Sequence, residues 1–184
     1  MIGERSFQRK RGEKRVNAEE VERCYNLFSR SVIAAALCYV KDPADADDVA
    51  QEVFFKLYTY SGRFDSDEHI KAWLLRCAIN QAKDVVKSPW RKLSLPLEAV
   101  SDTVRRDSSE SDDSMLRLLQ KLGRNNRVAM YMYYYEGYSA GEISDILGVS
   151  VNAVNSRLKR GRLQLRKLLE IEAKESDDGL QRFF

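Results

Sequence analysis

Residues 138–162 read Tyr-Ser-Ala-Gly-Glu-Ile-Ser-Asp-Ile-Leu-Gly-Val-Ser-Val-Asn-Ala-Val-Asn-Ser-Arg-Leu-Lys-Arg-Gly-Arg, and this order specifies two short helices meeting at a tight turn. Ser139 followed three residues later by Glu142 is a capping box, in which hydroxyl and carboxylate each accept a backbone N–H that the helix start leaves without a partner. Gly148 ends the first helix, because glycine takes the left-handed backbone of a helix stop at no steric cost. Ser150 is placed to cap the second. A three-residue turn containing glycine sets the two helices at a steep angle, the helix-turn-helix arrangement. Ile143, Leu147, Val149, Val154 and Leu158 are spaced to form a shared core. That leaves Asn152, Asn155, Ser156 and Lys159 on the opposite face of the second helix, at i, i+3, i+4 and i+7.

An outward stripe of Asn, Ser and Lys suits base edges, since amides and ammonium groups match the donor and acceptor pattern of the major groove. Charges beside it suit phosphates: between Val151 and Lys167 stand Arg157, Lys159, Arg160, Arg162, Arg166 and Lys167, with no acidic residue among them. A solvated helix face is the plain alternative. The agreement of caps, turn glycine, core spacing and charge segregation favours DNA binding over it.

Outside this motif the pattern is also helical. Val21, Cys24, Tyr25, Phe28, Val32, Ala35, Ala36 and Tyr39 recur at three- and four-residue spacings over 18–40, a helix ended by Lys41-Asp42-Pro43. A second helix is expected from about Asp45 to Tyr60, with Ala46, Val49, Val53 and Leu57 turned inward, and a third from about Glu68 to Lys87, stopped by Ser88-Pro89 and burying Ile70, Trp73, Leu74, Cys77 and Ala78. From Ser88 to Ser114 the periodicity fails, and the polar, acidic run from Asp107 to Asp113 marks a domain boundary. It resumes at Met115, breaks near Gly123, and continues through Val128 to Tyr135. No stretch alternates at period two, so the expected class is all-α: two small helical domains joined by a flexible acidic linker.

Composition narrows the function classes. Hydrophobic residues are 43% of the 184, charged residues 32%, and no apolar run approaches the roughly 20 residues of a membrane span. The first fifteen residues hold six basic and two acidic side chains, net +4, so the remainder of a chain with net charge +3 carries about −1. Where the basic residues cluster therefore matters more than their sum. That N-terminus has no apolar stretch behind its charges, unlike a secretory signal, and a cytoplasmic protein is expected. Cys24, Cys38 and Cys77 lie far apart within apolar helical patterns and read as reduced core residues, not zinc or redox ligands. His69, the sole histidine, reads as a surface or helix-start residue. Asp45-x-Asp suggests a calcium loop, but its sixth position, which needs Gly, is Ala50. Without a phosphate-binding Gly loop, a metal cluster or a nucleophile-base pair, neither a nucleic-acid enzyme nor a cofactor is expected.

With its apolar stripe inward, the second helix turns Asp48, Gln51, Glu52 and Phe55 outward, a face suited to a protein partner or, equally, to solvent. The third sets Lys71, Arg76, Lys83 and Lys87 beside Trp73 and Asn80, a mixture suited to single-stranded DNA, although Trp73 falls on the apolar face and reads better as core.

Asp45-Ala-Asp-Asp-Val-Ala-Gln-Glu-Val-Phe, Ile70-Lys-Ala-Trp-Leu-Leu-Arg-Cys-Ala-Ile-Asn and the helix-turn-helix, in that order and spacing, resemble the successive signatures of extracytoplasmic-function (ECF) sigma factors. The resemblance covers about residues 20 to 170. It implies a region two domain that grips the clamp helices of the largest subunit of RNA polymerase core through Asp45, Asp48, Gln51, Glu52 and Phe55. The same domain opens the minus-ten promoter element, with Phe64, Lys71, Arg76, Asn80, Lys83 and Lys87 as its DNA residues. It implies also a region four domain reading the minus-thirty-five element through Ser150, Asn152, Asn155, Ser156, Arg157, Lys159, Arg160 and Arg162, and an anti-sigma factor as a further partner. It carries no small-molecule substrate, metal or membrane insertion. One departure is Leu122-Gly123-Arg124, where the family often starts a helix with proline.

The expected layout is a basic arm over 1–17, region two over 18–91, a linker over 92–114, region four over 115–170 and a tail over 171–184. The other reading of the helix-turn-helix, a conventional activator or repressor, needs a dimer interface and a palindromic site.

Overall fold

The computed structural model describes residues 16–88 and 118–181, with side chains as far as Ile171. Six helices lie wholly in that range, residues 118–120 are the end of a further one, and the described residues form no strand: α1 (Ala18–Leu37), α2 (Pro43–Thr59), α3 (Asp67–Lys87), α4 (Arg124–Tyr134), α5 (Ala140–Leu147) and α6 (Val151–Gln181). The basic arm up to residue 15 and the linker lie outside the described residues.

Each helix of the first half starts where its sequence supplies a cap. The Asn17 side chain accepts from Glu20 N, that of Asp42 from Ala44 N, and that of Ser66 from His69 N. Pro43 stands at the first position of α2, where a missing N–H costs nothing, so this helix begins two residues earlier than the sequence suggested. α1 ends at Leu37, earlier than expected, and Tyr39 and Val40 are buried outside it. The three helices pack on one another around Val32, Ala36, Val49, Val53, Leu57, Leu74, Leu75 and Ile79, all at most 1% exposed.

In the second half α4 and α5 both pack on α6 around Val128, Met132, Ile143, Leu147, Val154 and Leu158. α4 starts at Gly123, which makes no side-chain cap bond. The sequence places Gly161 in mid-helix, a position that costs about 1 kcal/mol relative to alanine. The structure accounts for it: a Cβ there would stand 2.6 Å from Met130 Cγ, so α4 and α6 approach through the missing side chain.

The two halves also touch, α3 against α5 and α1 against α4. At the centre of this contact is Arg127, 6% exposed, which no sequence pattern had singled out. Its Nε donates to Leu119 O (3.0 Å), its Nη2 to Leu122 O (2.9 Å) and Gln120 O, and its Nη1 to Cys38 O (3.2 Å) and Leu37 O (3.5 Å). The carbonyls of Leu37 and Cys38 close the C-terminus of α1, where the helix dipole is negative. Burial lowers the pKa of this guanidinium from its ordinary value.

Replacing Arg127 by Met removes the donor to the carbonyls of Gln120, Leu122 and Cys38, while Leu119 O keeps Leu122 N and Leu37 O keeps the Gln120 side chain. The variant is expected to lose about 3 kcal/mol or more of unfolding free energy in urea titrations. A loss below about 1 kcal/mol would mean that the carbonyls are hydrated and that the arginine does not tie the halves together.

Candidate nucleic-acid and polymerase interfaces

The helix-turn-helix is built as its sequence directs. Ser139 Oγ accepts from Glu142 N, Glu142 Oε2 accepts from Ser139 N at 2.8 Å, and this capping box holds the Glu142 carboxyl below its usual range. Gly148 has φ 65°, the left-handed value that suits glycine. Ser150 Oγ accepts from Ala153 N at 3.2 Å, so its hydroxyl serves the start of α6. Ile143, Leu147, Val154 and Leu158 are buried and Val149 is partly buried against them.

Asn152, Asn155, Ser156 and Lys159 are all exposed on one face of α6. The basic residues divide around it. Arg157 and Arg160 line a cleft between α6 and the start of α4, with Ala153, Gly123, Arg124, Asn125 and Asn126. Arg162 leans to the other side, its Nη1 donating to Tyr134 OH at 3.4 Å. Arg166 pairs with Glu170 at 2.8 Å.

On α2, Asp48, Gln51, Glu52 and Phe55 are exposed, and Phe55 is 67% accessible, a large apolar ring in an acidic and amide surround. Glu52 accepts from Gln81 of α3, and Gln81 accepts from Lys56 at 2.7 Å, which orients this edge of the helix. Asp45, half-buried, sits in the first turn of α2.

The residues expected to meet the minus-ten strand are not presented together. Lys71 pairs with Glu136 at 2.6 Å, across the contact between halves, and Glu136 is 6% exposed in its side chain. Arg76 Nη2 donates to Asp145 O of α5 at 2.6 Å. Lys83, Lys87 and Asn80 lie further along α3, Lys83 Nζ 3.5 Å from Asn80 Oδ1 and Lys87 Nζ 3.8 Å from Asp84. Phe64 is partly buried in an aromatic group, its ring 5.0 Å from Tyr60 and 5.7 Å from Trp73. Trp73 is accordingly neither a fully buried core residue nor an open platform; it is half-covered by those rings. His69 lies in the first turn of α3, about half exposed.

Sequence reasoning missed the partners of Lys71 and Arg76. Glu136 stands just after α4, where it also accepts from Tyr131 OH, and burial with that carboxylate beside it pushes the Tyr131 phenol well up. Nothing in local periodicity marks a loop carboxylate as the partner of a lysine 65 positions away. The three cysteines are free, and desolvation raises each thiol, Cys38 to about 12, which removes them from nucleophilic chemistry near neutral pH. No group of three or more metal-ligating side chains occurs among the described residues, and no described helix is long and apolar enough to cross a membrane.

Comparison with known proteins agrees with this geometry. The family model described as Sigma-70 region 2 matches residues 24–92, and that described as Sigma-70, region 4 matches 112–165. The RNA polymerase sigma factor CarQ of Myxococcus xanthus is 30% identical over 137 residues, 71% of this chain and 78% of that protein. The ECF RNA polymerase sigma factor SigW of Bacillus subtilis is 28% identical across 92% of this chain and 97% of its own length. The sigma factor RpoE of Bartonella quintana, solved in complex with the anti-sigma factor NepR, shares the fold, with a TM-score of 0.65 at 20% identity over 84% of this chain and 99% of that one. With both regions present in order on one helical chain, the protein belongs to the sigma-70 family of RNA polymerase sigma factors, in its extracytoplasmic-function group.

Proposed function

We propose that this chain joins RNA polymerase core in the cytoplasm, directs it to promoters that carry matching minus-ten and minus-thirty-five elements, and has no catalytic activity of its own. The observation that carries the reading is the capped helix-turn-helix, whose outer face of Asn152, Asn155, Ser156 and Lys159 is exposed on the same chain as the exposed Asp48-Gln51-Glu52-Phe55 face of α2. The first face has the amide and ammonium groups that read base edges; the second joins a bare aromatic ring to carboxylates and an amide, the composition of a protein contact.

Region two is assigned to about 18–91 and region four to about 115–170, joined through 92–114 and flanked by the arm 1–17 and the tail 171–184. The clamp helices of the largest polymerase subunit are the partner of the α2 face, with Asp45 at its edge. Phe64, Lys71, Arg76, Asn80, Lys83 and Lys87 are assigned to the minus-ten strand. Because Lys71 and Arg76 are engaged by Glu136 and Asp145 in the closed arrangement, this assignment requires the halves to part on polymerase. Ser150 acts by fixing the start of α6, while Arg157, Arg160 and Arg162 flank the base-reading face as phosphate contacts. An anti-sigma factor, such as the one the Bartonella protein was solved with, is the expected regulator.

Reversing charge at Asp48 and Glu52 to Lys is expected to weaken the complex with core by about 2–5 kcal/mol, while circular dichroism keeps the helical signal. Unchanged affinity in a fluorescence titration against core would remove α2 as the docking face. In transcription from a randomised upstream element, with purified core and no other sigma factor, Asn155→Ala is expected to cost about 1–3 kcal/mol on the best promoter and to relax preference at one base pair. A uniform loss over all sequences would exclude Asn155 as a base reader.

A further inference from the structure

Two open clefts meet where the halves join. One, of about 600 Å³, lies between α6 and the start of α4 and is lined by Arg124, Arg157 and Arg160. The other, of about 320 Å³, lies between α3 and α4 and is lined by Lys83, Lys87 and Arg124. Arg124 and Asn125 belong to both, so the clefts form one trough with five cations on it, two from the first half and three from the second. Among the described residues, the only carboxylate paired with any of the five is Asp84, beside Lys87 at 3.8 Å and itself largely exposed.

The trough holds positive charge against its own repulsion. Burial lowers the Lys83 ammonium from its usual range, and Arg157 and Lys87 push it further the same way. Lys83 Nζ sits 5.5 Å from the centre of the Tyr39 ring, and the Tyr39 hydroxyl lies 3.5 Å from Asn125 Oδ1. Asn125 and Asn126 stand in the first turn of α4, whose N-cap Gly123 supplies no side-chain acceptor, so backbone N–H groups add to the positive end. Like charges converging on a concave, partly desolvated surface are stabilised by an anion that reaches several of them together.

We propose that this trough binds a compact polyphosphate anion, either inorganic or the polyphosphate of a nucleotide, which bridges the two halves. A single phosphate carries too little charge and span to meet cations on both walls. Lys83 and Arg157 are half-buried on the walls of the trough, and Arg124, Arg160 and Lys87 stand exposed along its rim, where a compact anion can reach several of them together. Bound there, the anion neutralises Lys83 and Lys87 together with Arg124, Arg157 and Arg160. It thereby holds region four on region two and withdraws Arg157 and Arg160 from DNA.

The test is isothermal titration of the full-length protein with sodium tripolyphosphate at fixed ionic strength, with no DNA or polymerase present, so its result is independent of the promoter-reading assignment. Saturable binding of one anion per chain is expected, at least about tenfold tighter than orthophosphate or sulfate. The Lys83→Ala/Lys87→Ala pair and Arg124→Ala, each removing charge from a different wall, are each expected to weaken it about tenfold, with the helical circular dichroism unchanged. Adenosine triphosphate forms the second arm: affinity equal to or below that of tripolyphosphate assigns the ligand as inorganic polyphosphate, and tighter binding assigns a nucleotide. Non-saturating binding, no preference over orthophosphate, or affinity untouched by loss of Lys83 and Lys87 overturns the proposal. The last result would leave only a phosphate contact on the helix-turn-helix.

Discussion

The closed arrangement depends on a single buried charge. Arg127 sits where two helix ends, the C-terminus of α1 and the turn at Leu119 to Leu122, would otherwise point carbonyls into each other's negative ends. One guanidinium satisfies both sets with its five N–H groups, a task a lysine with three donors on a point charge cannot perform. The charge is surrounded by backbone carbonyl dipoles, and the nearly buried carboxylate in the same contact, Glu136, is paired with Lys71 instead. Around it the side-chain ties are few and mixed: Lys71 to Glu136, Arg76 to Asp145 O, Gln120 to Leu37 O and the Tyr131 hydroxyl to Ser31 O at 3.4 Å.

Much of the fold was legible because helices announce themselves locally. The Ser139-Glu142 box, the Gly148 stop and the spacing of Ile143, Leu147, Val154 and Leu158 are short-range features, and all are formed. The expected outer face of α2 is likewise exposed, since the opposing stripe of Ala46, Val49, Val53 and Leu57 is fully buried. Boundaries shifted by a few residues where a proline favoured an earlier start or a buried turn an earlier stop.

Relations between distant residues were not legible. Lys71 and Arg76 have the composition of a DNA surface, and nothing in their neighbourhood reports that Glu136 and the carbonyl of Asp145 engage them. Arg127 could have been suspected, because the positions that follow it, Val128 to Tyr131, are apolar and buried, with Met130 and Tyr131 three and four residues on along its own face. Arg157 and Arg160 were assigned to the DNA side of α6 by their charge and by the family resemblance; their placement on the cleft strip with Ala153 follows from where α4 begins, which the sequence left open at Gly123.

α4 is only eleven residues long, yet it packs on α6, α5 and α1. Its first turn lines the trough, Arg127 grips the end of α1, and Met130 lies over Gly161 of the recognition helix with no side chain between them. A short helix clamped at such close intervals behaves as a stiff strut, because a dense interior transmits displacement instead of absorbing it. Force applied to the recognition helix therefore reaches α1 within three residues of α4, and a load that tilts α6 on a promoter works directly against the grip of Arg127. The gearing runs in reverse as well: whatever releases α1 also frees the angle at which the reading helix meets its groove.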